Sequence, residues 1–230
     1  MSPETLVEDI TGLLEVWVAG WAGCRGYQTT TEGRFPAALR SDTSGEWEVF
    51  ASEPTDDEFA ALAARTAVSP ARVLTILTND PSRYAALAAR QGLNVTSDSQ
   101  TMMIVDMETQ DTEDPWLSDD DLRLSTSEQN GVHYAEVRSG DAVAASGRVF
   151  VVGDTAVFDK IITEPAFQRR GLGSLIMRAL AAQASGQDVR SGLLLASRDG
   201  QKLYSHLGWS TVARVLMLSA SNDGSDLSLS

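Results

Sequence analysis

The residues with the clearest chemical capacity stand together at 168–174, reading QRRGLGS. Arg169 and Arg170 bring fixed positive charge and planar donors suited to phosphate oxygens. Gly171 and Gly173 let a ligand approach the backbone closely. From Leu172 onward, Leu175, Ile176, Ala179 and Leu180 recur at helical spacing, so a helix begins inside the motif. Its first N–H groups have no partner within the helix, and its dipole is positive at that end. Together these features favour a phosphate or diphosphate. Two common phosphate loops do not fit. There is no GxxxxGK[ST], and the dinucleotide pattern GxGxxG lacks its third glycine here. The strands before the motif also read as antiparallel, which a dinucleotide βαβ unit does not allow.

The surrounding elements must position this junction. Residues 132–165 hold three strand-like runs separated by turn signals at 139–141 and 153–154. The uniformly apolar run at 192–197 reads as a central strand, 199–208 as a short helix ending at Gly208, and 211–218 as a last strand. Earlier, Leu6, Ile10, Leu13, Leu14 and Trp17 mark a helix over 4–20, followed by a glycine- and threonine-rich stretch and a loop over 25–45. Strands are expected at 47–52, 71–78 and 99–107. Helices are expected at 55–66, with Thr55 as N-cap, and at 81–92, with Pro81 at the start.

The chain as a whole narrows the function. Thirty-two acidic against 18 basic residues, a net charge of -14, argue against nucleic acid as partner. Cys24 is the single cysteine, so no disulfide forms within the chain. No apolar run approaches the roughly 20 residues that span a bilayer, and no basic, apolar leader opens the chain. A cytoplasmic protein without membrane association is expected. His133, His206 and Cys24 are too scattered to hold a metal. Met102 and Met103, the acidic run at 118–121, and Trp17, Trp21 and Trp47 read first as packing or solvated positions. The tryptophans are also candidates for a pocket wall.

The motif and its neighbours resemble the GNAT superfamily of acyl-CoA-dependent N-acetyltransferases. Residues 168–173 match its Q/R-x-x-G-x-G/A signature. The apolar run ending IITEP lies before it, a helix and a buried strand follow, and LYSHLGW at 203–209 looks like the family's LYxxLGF element. The resemblance covers roughly 120–218. It implies an α/β fold: a mixed, mostly antiparallel central sheet flanked by helices. It also implies that acetyl-CoA is the acyl donor, with no metal. Gln168, Arg169, Arg170, Gly171, Leu172, Gly173 and Ser174 would hold its diphosphate, and Ile161, Ile162 and Thr163 would pair with its pantetheine arm. Tyr204 stands where the family's usual general acid stands; a core tyrosine is the competing reading. Asp159, two residues before Ile161 and so expected on the same face, is the candidate base or amine-orienting group, against a plain ion-paired acid. Ser197 stands where many members carry a CoA-contacting Asn, and it also suits a helix cap.

Residues 57–107 repeat the helix–strand–helix–strand order of the C-terminal part but carry no such signature. The expected layout is an N-terminal degenerate GNAT-like half over 1–107, a linker over 108–119, a catalytic domain over 120–220 and a disordered tail over 221–230. The N-terminal half is expected to wall the acceptor site through the 4–20 helix and the 25–45 loop. The acceptor is a primary amine, a small molecule before a protein, attacked directly in a ternary complex because no cysteine nucleophile is placed for a covalent intermediate. A non-catalytic acyl-CoA-binding or sensing module is the alternative. A monomer or homodimer is expected.

Overall fold

The computed structural model describes residues 9–113 and 120–221. The N-terminal half runs α1 (Ile10–Arg25), β1 (Gln28–Glu32), β2 (Phe35–Leu39), β3 (Trp47–Ser52), α2 (Asp56–Ala67), β4 (Arg72–Thr78), α3 (Pro81–Arg90) and β5 (Leu93–Asp106). The C-terminal half runs β6 (Leu122–Gln129), β7 (Val132–Ser139), β8 (Ala142–Val152), β9 (Thr155–Thr163), α4 (Leu172–Ser185), β10 (Ser191–Ala196), α5 (Arg198–His206) and β11 (Ser210–Ala220).

Local chemistry explains most boundaries. Asp9 caps α1 by accepting from the Gly12 N–H at 3.0 Å, and Gly26 closes it in the left-handed region at φ 64. Thr55 and Glu58 form a reciprocal capping box at α2. Asp80 caps α3, with Pro81 in its first turn.

Three expectations need correction. The first helix extends to Arg25 rather than 20, and the part expected over 4–8 lies outside the described residues. The loop expected over 25–45 contains the β1–β2 hairpin. Strand β6 precedes the three-stranded meander. Both β1 and β6 are outer strands with mostly exposed residues, so neither carries the apolar alternation that marks a strand. The expected linker begins inside a short 3-10 turn (Met107–Thr109), and 114–119 lies outside the described residues, as does the tail from 222.

The eleven strands among the described residues join one sheet, in the order β1-β2-β3-β4-β11-β5-β10-β9-β8-β7-β6. Among the described residues only β3–β4 and β9–β10 run parallel. The two halves exchange their last strands: β5 pairs with β10 of the C-terminal half, and β11 pairs with β4 of the N-terminal half. β5 and β11 also pair with each other, from Ser210↔Ile104 to Ala220↔Leu93. The sheet is therefore continuous across the boundary between the halves.

Helix α1 covers one face. Leu14, Trp17, Val18 and Trp21 pack there on Phe50, Leu77, Met102, Val157 and Leu193. The fit is close at Gly20, where a Cβ would fall on Val157. On the other face, α2 and α3 cover Val49, Leu74 and Leu216, and α4 covers Met103, Phe158 and Leu194.

The exchange sets a testable limit on dissection. A fragment of residues 120–221 keeps β11 but loses both of its neighbours, and it bares the β10 edge. We expect it to aggregate and to show no cooperative thermal unfolding, since β11 and the β10 edge lose the partners that bury them and folded chains are stable by only roughly 5–15 kcal/mol. A soluble monomer with a sharp unfolding transition would contradict the exchange.

Candidate active site

Strands β9 and β10 pair at only three positions, Ser191↔Thr155, Gly192↔Ala156 and Leu193↔Val157. Beyond Val157 they separate, although β9 continues to Thr163 and β10 to Ala196. A bulge lies just beyond the last paired residue of β9. Lys160 adopts φ 51, and the β8–β9 register shifts between Ser146 and Arg148. A cleft of about 920 Å³ occupies the gap and passes through the sheet. On the α4 face it is lined by Phe158, Leu172, Leu194, Leu203 and Tyr204; on the α1 face by Trp17, Trp21, Leu195 and Met217. The equivalent pair in the N-terminal half stays closed: β3 and β4 pair from Trp47↔Arg72 to Ser52↔Leu77, over the whole of β3. Only one of the two halves has the gap.

Helix α4 starts at the mouth of this gap. Its N-cap is Gly171 at φ 76, and no side chain caps it. Each of α1, α2, α3 and α5 has a capping side chain, from Asp9, Thr55, Asp80 and Ser197. The free amides at the start of α4 thus open onto the cleft, which Gln168, Arg169, Gly171, Leu172, Gly173 and Ser174 line. Gln168 donates from Nε2 to the Thr163 carbonyl at 3.3 Å and ties the loop to the end of β9. Gly173 permits close packing, since a Cβ there would lie 3.0 Å from Leu203 Cδ2. Arg170 does not line the cleft; its guanidinium lies 5.5 Å from the Phe167 ring centre. Ile161, Ile162 and Thr163 line the gap from β9, and Ser197 from the end of β10. The Ser197 hydroxyl is engaged as the α5 cap, accepting from Gly200 N–H at 3.1 Å.

Tyr204 is buried beside Trp209, with ring centres 5.9 Å apart, and it lines the cleft. Burial alone pushes its hydroxyl up to about 12, so it stays protonated at neutral pH. It packs α5 onto the core and stands among the residues that line the gap.

Asp159 departs from expectation in two ways. It does not share the face of Ile161. The bulge at Lys160 adds a residue, so Asp159 meets Arg25 of α1 while Ile161 packs on the α4 side. Nor is its carboxylate free. It accepts from Arg25 Nε at 2.9 Å, Arg25 Nη2 at 2.8 Å and Arg148 Nε at 2.9 Å. Three of its roughly four acceptor sites are therefore taken. This geometry makes Asp159 a tie holding α1 to β8 and β9. The sequence could not show this, because Arg25 lies 134 residues away along the chain. Arg25→Met is expected to lower stability by about 1.5–3 kcal/mol, the usual range for hydrogen bonds to a charged group. For a chain of this size that is a fall of roughly 3–12 °C in thermal midpoint. A midpoint within a degree of wild type would show that Arg148 alone suffices.

Cys24 belongs to the N-terminal half, but α1 brings its sulfur to 3.7 Å from the Val157 carbonyl. The physical reason it is not a nucleophile is burial, which pushes its thiol up to about 12, with the charge of Asp159 adding to the rise.

Arg25, Arg40, Glu48, Gln100 and Met217 line the cleft although no sequence motif marks them. Glu48 is the legible one in retrospect, an acid inside an otherwise apolar strand. It is 5% exposed, accepts from Thr75 Oγ1 at 2.6 Å, and burial raises its carboxyl above the usual range.

Residues 129–211 match the family model of the acetyltransferase (GNAT) domain. That stretch of the chain is similar to a GNAT domain. Its fold is also that of solved GNAT proteins. One is a GCN5-related N-acetyltransferase from Kribbella flavida, 13% identical, with TM-score 0.63 over 92% of this chain and 95% of that one. Another is a tandem GNAT protein from the clavulanic acid biosynthesis pathway, 15% identical, with TM-score 0.58 over 84% of this chain and 79% of that one. No curated protein matches the chain. The expected fold class holds: a mixed, mostly antiparallel sheet flanked by helices, in two GNAT-like halves. Among the described residues no helix is long and apolar enough to cross a membrane, and no cluster of metal-ligating side chains occurs.

Proposed function

We propose that the protein is an acetyl-CoA-dependent N-acetyltransferase acting on a primary amine, by direct attack in a ternary complex. The observation that carries this reading is the uncapped start of α4 at the mouth of the β9–β10 gap. In this reading the amides of Leu172 to Ser174, with Arg169, take the diphosphate of the acyl donor. Its pantetheine arm occupies the missing strand position beside Ile161, Ile162 and Thr163, where β9 has lost its β10 partner. The thioester then lies at the gap, with Tyr204 on one side and the α1 face on the other.

The acceptor nitrogen attacks the acetyl carbonyl carbon and a tetrahedral intermediate forms. The C–S bond then breaks, and the sulfur takes the Tyr204 proton. The proton lost by the amine passes to solvent water and replaces the one on Tyr204. Asp159 is assigned to positioning, because its oxygens are engaged by Arg25 and Arg148. That cluster of two guanidiniums and one carboxylate carries a net positive charge, which favours the neutral, nucleophilic form of a nearby amine. The cleft is recessed beneath α1, which suits a small-molecule acceptor better than a folded protein. Arg170 is assigned to the rim of the donor site. A cytoplasmic monomer or homodimer that uses no metal completes the proposal.

The test is turnover. The protein is mixed with acetyl-CoA and a panel of primary amines, and free thiol is followed together with the acetylated product. Amine-dependent thiol release supports the reading. Acetyl-CoA that binds but is never consumed would favour a sensing module instead.

A further inference from the structure

The cleft holds a side-chain amine of the protein's own. The chain has two lysines, Lys160 and Lys202. Lys160 lines the cleft, whereas Lys202 is exposed on α5 and lies outside it.

Lys160 stands where β9 leaves β10. The last residue of β9 to pair with β10 is Val157, and Lys160 follows three positions later. Directly after it come Ile161, Ile162 and Thr163, the proposed seat of the pantetheine arm. Its backbone is left-handed at φ 51, a conformation that costs free energy for any residue with a Cβ. Such strain persists only where the surrounding structure imposes it, and it gathers at sites of chemistry. Here it breaks the alternation of β9. Asp159 meets Arg25 of α1, Ile161 packs on the α4 side, and Lys160 between them lines the gap.

The amine is loosely held. Nζ lies 3.5 Å from Asp42 Oδ2, longer than the roughly 2.7–2.9 Å of a charge-assisted hydrogen bond. Both side chains are partly exposed, 43% and 36%, and an ion pair of this kind adds little to stability. The other Asp42 oxygen accepts from the Tyr27 hydroxyl. Asp159, its neighbour in the chain, does not hold Lys160, because its oxygens are taken by Arg25 and Arg148. The flexible four-carbon stem of Lys160 is therefore free to leave Asp42 and bring Nζ into the gap it already lines.

We propose that Lys160 is a site of self-acetylation: an acyl thioester lying in the β9–β10 gap transfers its acyl group to Lys160 Nζ of the same chain. This rests on the acetyltransferase reading of the cleft. The unprotonated Nζ attacks the thioester carbonyl carbon, a C–N bond forms and the C–S bond breaks. The sulfur leaves as the thiol with the Tyr204 proton, and the proton lost by nitrogen passes to water and replaces it. Nothing is oxidised or reduced. The product amide is uncharged, so the ion pair with Asp42 is lost, and with it that tie between the β2–β3 turn and β9.

The test is to incubate the full chain with acetyl-CoA and no added amine, then map acetylated peptides by mass spectrometry over time. Lys160 is expected to be modified at least tenfold faster than Lys202, which measures unassisted chemical acetylation. The fraction modified at a fixed time should not change when the protein is diluted, because donor and amine sit in one chain. Gly171→Glu, expected to lose the donor, should bring Lys160 down to the Lys202 rate. Asp42→Asn keeps an acceptor for Tyr27 but releases the amine, and should raise the Lys160 rate about two- to fivefold. Equal rates at the two lysines in the wild type, or a Lys160 rate that falls with dilution, would overturn the proposal, and this comparison needs no variant. An unmodified Lys160 in protein that acetylates an added amine would also overturn it and leave the acetyltransferase reading standing. An unmodified Lys160 in protein that consumes no acetyl-CoA with any amine would overturn both.

Discussion

Gly171→Glu is expected to lose at least about 100-fold in acetyl-CoA affinity, roughly 2.8 kcal/mol. Two effects act together. Gly171 sits at φ 76, a region that costs a residue with a Cβ on the order of 1–2 kcal/mol. The new carboxylate then stands at the helix terminus where the diphosphate is proposed to lie, so it repels the ligand and competes for the same amides. A Cβ at this position meets no atom within 4 Å, so the variant is expected to fold. Gly171→Ala separates the two effects: it keeps the backbone strain without the charge, and its affinity is expected to stay within about tenfold of wild type. Calorimetric titration of all three proteins measures both. If Gly171→Glu bound acetyl-CoA like the wild type, the start of α4 would not be the anion site.

Tyr204→Phe is expected to lower kcat by about 10²–10³, within the usual range for a general acid, with acetyl-CoA affinity changed less than twofold. The ring packing against Trp209 is kept, and among the described residues the hydroxyl has no protein partner to lose, so the thermal midpoint should stay close to wild type. The pH profile adds a second readout. Burial places Tyr204 near 12, and the protonated form does the work, so its contribution is present below that value and disappears only as pH rises through it. The wild-type rate should therefore climb with pH as the amine loses its proton, without an alkaline fall below about pH 10. The variant should follow the same curve at a lower level. A variant of full activity would leave Tyr204 as a packing residue only.

The part of the site that was legible in the sequence is the part that is local in the chain. Gly171, Gly173 and the stripe from Leu172 to Leu180 name a helix start, and that start is where they place it. Tyr204 and Ser197 followed from the same run of neighbours. What depends on tertiary contact was not legible. The exchange of β5 and β11 leaves no local mark, because either strand presents apolar residues to both faces whichever neighbour it takes. The bulge at Lys160 turns Asp159 away from Ile161, and no glycine on β9 itself marks it, so strict alternation pointed to the wrong face. The edge strands β1 and β6 are mostly exposed and polar. Arg25 and Arg40 carry no signal until the fold brings them to the cleft.

Hydrogen–deuterium exchange with and without acetyl-CoA tests the central claim most directly, because it reports where the donor binds as well as whether it does. The account predicts that amides over 161–163 and 169–174 gain protection on adding acetyl-CoA. The closed pair of the N-terminal half, over 47–52 and 72–78, should keep its exchange rates. Unchanged exchange at 161–163 and 169–174, or new protection confined to β3 and β4, would contradict it.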